Sequence, residues 1–195
     1  MNMADVLPAR AISESIRWLL LSAAQLLPQV GSAIQALLDR ARQVHERLPG
    51  EPPAFTHGDL KSEHIWVAAD RLTMMDFDTS HLADPALDLG CFLADWQFWN
   101  RASRQAELDE MRETFLAGYA PGVPKERLVR ARLYEALGLI KCAVRRVQLF
   151  EHDWASRTAG LVGRAQAVLD HLQFTFGIPR YGSAATTGEE RRELR

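Results

Sequence analysis

Cysteine is scarce in this 195-residue chain: only Cys91 and Cys142 occur, both in helical patterns and without Cys-x-x-Cys spacing. That excludes a disulfide framework and points to a reduced, cytoplasmic setting. Positive charge is not in excess either. With 23 Lys and Arg against 25 Asp and Glu, the net charge is −2, and the footprint of a nucleic-acid binder is missing. The longest apolar run, Trp18 to Leu27, is about half of what a membrane span needs. Asp5 and Glu14 ahead of that run argue against a secretory leader. There are no internal repeats and no Gly-rich phosphate loop.

What remains is an ordinary globular composition, 47% apolar and 25% charged, enough to bury a core. The length suits one domain, or one lobe of a larger two-lobed fold. Apolar residues at helical spacing predict a helix over 10–27, ended by Pro28, and a second from about Ser32 to Leu48. Pro49-Gly-Glu-Pro-Pro53 then leads extended chain into Phe55 and Thr56. Ile65–Ala68 and Leu72–Met75, separated by a turn at Ala69-Asp-Arg71, predict one tight β-hairpin. Asp84-Pro85 predicts a capped helix start, running to about Asn100. Further helices are expected over about 103–118, Pro124 to Glu151, and 155–173. Residues 181–195 are small, polar and charged, and read as a disordered tail beyond a folded unit of 1–180. The fold class is therefore mostly α with a small β-hairpin, an α+β arrangement.

The chemistry concentrates around the hairpin. His57-Gly-Asp-Leu-Lys-Ser-Glu-His64 lies before it and Met75-Asp-Phe-Asp78 after it. A hairpin brings such stretches together, so Asp59 and Asp76 could share one metal-bound phosphate, one positioning a nucleophile and the other holding the cation. Lys61, two residues on, suits developing negative charge. The plainer reading of any one of these aspartates, Asp78 included, is a capping or turn residue. Trp96, Phe98 and Trp99 read as core rather than cleft, and Glu107, Asp109, Glu110 and Glu113 as a solvated helix face.

His57-Gly-Asp-Leu-Lys-Ser-Glu-His64 resembles the H-G-D-x-x-x-x-N catalytic loop of the aminoglycoside phosphotransferase and choline kinase-like family, and the H-R-D-L-K-x-x-N loop of protein kinases. Met75-Asp-Phe-Asp78 is similar to the family's metal-binding I-D-F/W segment, and Ala83-Asp-Pro-Ala-Leu-Asp-Leu89 to its G-D-P-x-x-D-L segment. The resemblance covers about residues 50–175 and implies a protein kinase-like fold that transfers the γ-phosphoryl group of ATP to a small-molecule hydroxyl. It implies Asp59 as catalytic aspartate, Lys61 near the transferred phosphate, Asp76 as Mg²⁺ ligand, Asp88 as a brace of the loop through backbone amides, and His57 as a loop anchor.

Two departures from the family pattern stand out. His64 occupies the position of the Asn that binds a second metal. It either keeps a weakened site, better suited to Mn²⁺ than to Mg²⁺, or caps the loop. The 55 or so residues before the loop read as helices, with no strand lysine. The expectation is the C-terminal lobe alone, with the N-terminal lobe absent or supplied by a separately encoded partner. A non-catalytic kinase-like module and a metal-dependent phosphohydrolase using His57, Asp59, His64, Asp76 and Asp78 are the competing readings.

Overall fold

The computed structural model describes residues 28–100, 103–147 and 152–177. The helix expected over 10–27 and the tail expected over 181–195 lie outside the described residues. Five α-helices are described: α1 (Pro28–Arg47), α2 (Leu87–Trp99), α3 (Gln105–Tyr119), α4 (Lys125–Arg145) and α5 (Trp154–Thr175). Four short strands, β1 (Ala54–Thr56), β2 (Ile65–Ala68), β3 (Arg71–Met74) and β4 (His81–Ala83), sit between α1 and α2. The arrangement is mostly helical, and α+β as the pattern predicted. No helix among the described residues is long and apolar enough to cross a membrane.

Helix α4 is the centre of the packing because its apolar residues run around most of its circumference. Leu133, Ala136, Leu139, Ile140 and Ala143 join Ile34, Leu37, Ala41 and Val44 of α1 and Leu161, Ala165, Val168 and Leu169 of α5 in one core. Ala131 and Tyr134 turn the other way, into a second cluster with Leu87, Leu89 and Leu93 of α2 and Leu116 of α3. Each fully buried Leu, Ile or Val contributes about 1.5–3 kcal/mol. Helices α2 and α4 lie against each other at two glycines. A Cβ on Gly90 would sit 2.3 Å from the Cβ of Tyr134, and one on Gly138 would sit 2.6 Å from the Cβ of Ala94.

A buried ionic knot joins the linker before β1 to the helices. The Arg130 guanidinium, 1% exposed, bonds to Asp84 Oδ2 at 2.8 Å, to Glu51, and to the Pro49 carbonyl at 2.5 Å. Tyr134 adds its hydroxyl to the same Asp84 oxygen at 3.2 Å. All three acceptors lie just outside the strand pair, so the knot sets where β1 and β4 meet the helices.

The β structure is richer than the single hairpin expected. Strands β2 and β3 pair antiparallel with Ile65 opposite Met74 and Ala68 opposite Arg71, so the turn is the two-residue Ala69-Asp70 and Arg71 belongs to a strand. A second sheet pairs β1 with β4, Ala54 opposite Ala83 and Thr56 opposite His81. Three residues are too few to show a period, which is why His81–Ala83 left no signal. Helix α1 starts at Pro28, earlier than the predicted Ser32, and a proline fits the first turn because its missing N–H costs nothing there. Asp84 does not cap α2 directly: its carboxylate accepts the Ala86 amide at 2.9 Å in a turn, and the helix starts at Leu87. Helix α4 ends at Arg145, short of the predicted Glu151.

Candidate active site

The loop between β1 and β2 is held from below by two carboxylates of α2. Asp88 accepts the amides of His57 (2.6 Å) and Gly58 (2.9 Å), one on each oxygen. Asp95, seven residues and two turns further along the same face, accepts the Ser62 amide and the Ser62 hydroxyl, both at 3.1 Å. Gly58 has φ +83°, and a Cβ there would lie 2.4 Å from the Thr79 carbonyl oxygen, so the turn requires glycine. His57 is buried. Its Nε2–H donates to the Met75 carbonyl at 2.7 Å, and its ring stacks on His64 (5.3 Å between centroids) and leans on Phe77 (4.9 Å). The loop is thus pinned at both ends and along its length.

Pinned in this way, Asp59 projects into a cavity of about 390 Å³. Its Oδ2 lies 2.6 Å from Lys61 Nζ and its Oδ1 3.2 Å from Lys141 Nζ. Burial alone would raise the carboxyl's pKa, but the hydrogen bond from Lys61 and the charge of Lys141 outweigh it and hold the group below the usual carboxylate range. Asp59 is therefore ionised at neutral pH. The cavity is bounded further by Asp95, Arg145 and Arg146, with Cys91 and Cys142 in its wall. Burial pushes the Cys91 thiol up to about 12 and the Cys142 thiol up to about 11, so neither is a nucleophile.

The hairpin delivers the second group. The Met75 amide donates to the His64 carbonyl at 3.0 Å, extending the ladder by one rung beyond the strands. His64 Nε2 consequently lies 3.3 Å from Asp76 Oδ2. Asp76 is the sole non-glycine residue with positive φ among the described ones (φ 64°, ψ 58°), and its carboxylate is more than half exposed. Asp78 is exposed, and Asp76 does not line the cavity that holds Asp59. Six residues named from sequence, His57, Asp59, Lys61, His64, Asp76 and Asp88, thus gather around one loop and one hairpin, with His64 beside Asp76 and Asp59 facing the cations.

Two site residues escaped the sequence reading: Lys141 and Asp95. Both are lone charges in apolar helical stretches, Leu139-Ile-Lys-Cys142 and Leu93-Ala-Asp-Trp96, and a charge in such a place is the signal that would have found them. Asp95 is 2% exposed and is also paired with Arg146. Of the aromatic group on α2, Phe98 is core, and Trp99 is 60% exposed. At the start of α3, Arg104 pairs with Glu107, and within the helix Arg112 pairs with Asp109 and Glu113.

A divalent cation can be tested against this donor set. Among the described residues no three His, Cys, Asp or Glu side chains converge as a metal cage. Mg²⁺ does not need one, because it is commonly held by one or two carboxylates together with phosphate oxygens and water. The exposed Asp76 carboxylate fits that pattern. The imidazole of His64 is a softer donor and suits Mn²⁺ better.

An ionised aspartate thus stands between two ammonium groups, with a second carboxylate just beyond the adjoining hairpin. Residues 8–134, well over half of the chain, match the model of the phosphotransferase enzyme family. The chain belongs to that family. No curated protein matches it.

Proposed function

We propose that this chain forms the C-terminal, catalytic lobe of a cytoplasmic ATP-dependent phosphotransferase with a kinase-like fold, whose acceptor is a hydroxyl of a small molecule. The observation that carries the reading is the setting of Asp59: ionised, clamped on a braced loop, and 2.6 Å from Lys61. Asp59 would orient the acceptor hydroxyl and take its proton as transfer proceeds. Its depressed pKa suits a late proton transfer, in keeping with a loose transition state in which little basicity is demanded of the protein. The Lys61 ammonium would face the negative charge that spreads over the transferred group. When bound, ATP with Mg²⁺ supplies the γ-phosphoryl group and neutralises its phosphates. Asp76, with His64 beside it, would hold the cation. Asp88 and His57 act by fixing the loop. The reading also requires a further lobe, in the same polypeptide or from a partner, to cover the nucleotide.

A second reading, a non-catalytic kinase-like module, is favoured by one contact: His64 Nε2 stands 3.3 Å from the carboxylate that the cation needs. Thermal shift with ATP and either Mg²⁺ or Mn²⁺ separates the two. At about 100 times Kd, binding adds about 2.7 kcal/mol, a rise of several degrees for a chain of this size. Asp76→Asn should abolish that rise, asparagine being preferable to alanine because it accepts the left-handed backbone. Asp59→Ala should keep the rise and lower ADP release with a responsive hydroxyl compound by about 10²–10⁴-fold. No rise with either metal in the wild type would favour the module.

A further inference from the structure

The cavity beside Asp59 is lined by four cationic groups, Lys61, Lys141, Arg145 and Arg146, against two carboxylates, Asp59 and Asp95. Their commitments differ. Arg146 is bound to Asp95, and Lys61 is bound to Asp59. Lys141 gives one hydrogen bond to Asp59 and has two donors left. Arg145 is exposed and has no carboxylate partner among the described residues. Lys141 and Arg145 are four residues apart on α4, so both side chains leave the same face of the helix, the one toward the cavity. They also lie beyond residue 134, where the family match ends, and away from Asp76, which does not touch this cavity. An ammonium with free donors next to a guanidinium that has no carboxylate partner among the described residues is a site for a carboxylate or a phosphate, which accepts from both at once.

We propose that this cavity binds an acceptor carrying an anionic group, carboxylate or phosphate, a few bonds from its reactive hydroxyl, with Lys141 and Arg145 holding the anion. The role of the hydroxyl rests on the phosphotransferase reading; the anion site rests on the cavity alone. Lys141 then has two duties. It holds Asp59 in place before the acceptor arrives, and it sets the distance between Asp59 and the acceptor's anion afterwards. Cationic acceptors such as amino sugars or choline meet an excess of two positive charges here and are disfavoured.

Four small hydroxyl compounds of similar size test this on the full chain by ligand-observed NMR and calorimetry: glycerate, glycerol 3-phosphate, glycerol and ethanolamine. Binding of glycerate or glycerol 3-phosphate at millimolar concentration is expected, the stronger of the two identifying carboxylate or phosphate. Glycerol and ethanolamine should bind more weakly by about tenfold or more, as should the anionic probe to Arg145→Gln or Lys141→Gln, each checked for folding by circular dichroism. Asp76→Asn should leave the anionic probe's affinity unchanged. The proposal is overturned if neither anion binds, if glycerol or ethanolamine binds equally well, or if both α4 variants bind like the wild type. It is also overturned if ATP with Mg²⁺ displaces the probe and Asp76→Asn weakens it, because the cations would then serve nucleotide phosphates. Anion binding as expected, with no ATP-dependent thermal shift, would instead count against the phosphotransferase reading alone.

Discussion

Substituting alanine at Gly90 probes how closely α2 and α4 are pressed together. The added Cβ would lie 2.3 Å from Tyr134 Cβ, 2.6 Å from the Tyr134 carbonyl carbon and 2.7 Å from the Ala131 carbonyl oxygen. Carbon atoms in favourable contact stand about 3.5–4.0 Å apart, so the helices must separate by roughly an ångström. Two of the three obstacles are backbone and cannot rotate aside. Overpacking of this kind costs about 1–3 kcal/mol, occasionally more. Against it stands the helix-propensity gain of alanine over glycine, about 1 kcal/mol. A net loss of up to about 2 kcal/mol is expected, a fall in Tm of up to several degrees. Gly160 on α5 is the matched control, since a Cβ there meets nothing within 4 Å. Gly160→Ala should therefore stabilise by about 0.5–1 kcal/mol. Urea denaturation with unchanged m values measures both. If Gly90→Ala proved as stable as Gly160→Ala, the close helix contact would be refuted.

Arg130→Met removes the centre of the buried knot and leaves Asp84 and Glu51 without their shared cation; a loss of about 3 kcal/mol is expected by urea denaturation. Glu51 gives a pH test. The hydrogen bond from Arg127, opposed by burial, holds its folded pKa below the ordinary value, so its stabilisation is present above the unfolded pKa of about 4.3 and is lost as pH falls through the folded value. Stability measured from neutral pH downward should therefore decline less steeply in Glu51→Gln than in the wild type.

The parts of this molecule that could be read from the sequence are those with local causes. The loop His57–His64 and the segment Met75–Asp78 were visible because hairpin pairing between adjacent strands makes neighbours of them. The core faces of α1 and α4 were visible because their apolar spacing is helical. The clamp on Ser62 was not visible, because Asp95 is 33 residues away and nothing near it in sequence announces a hydrogen bond to a loop amide. Lys141, 82 residues from Asp59, was hidden for the same reason: only the packing of α4 on α2 brings it there. The start of α2 was misread because Asp84 spends its carboxylate on a turn amide and on Arg130 rather than on the first helical amides.

The backbone of Asp76 has a consequence for how this protein can change. A left-handed conformation costs an ordinary residue on the order of 1 kcal/mol, and glycine adopts it freely. Asp76→Gly should therefore hold or raise the melting temperature while removing the carboxylate proposed to hold the cation. A chain screened for thermal stability alone would be free to lose this aspartate. At position 76 the demands of folding and of the proposed cation site point to different amino acids, and the residue present is the one that folding alone would not select.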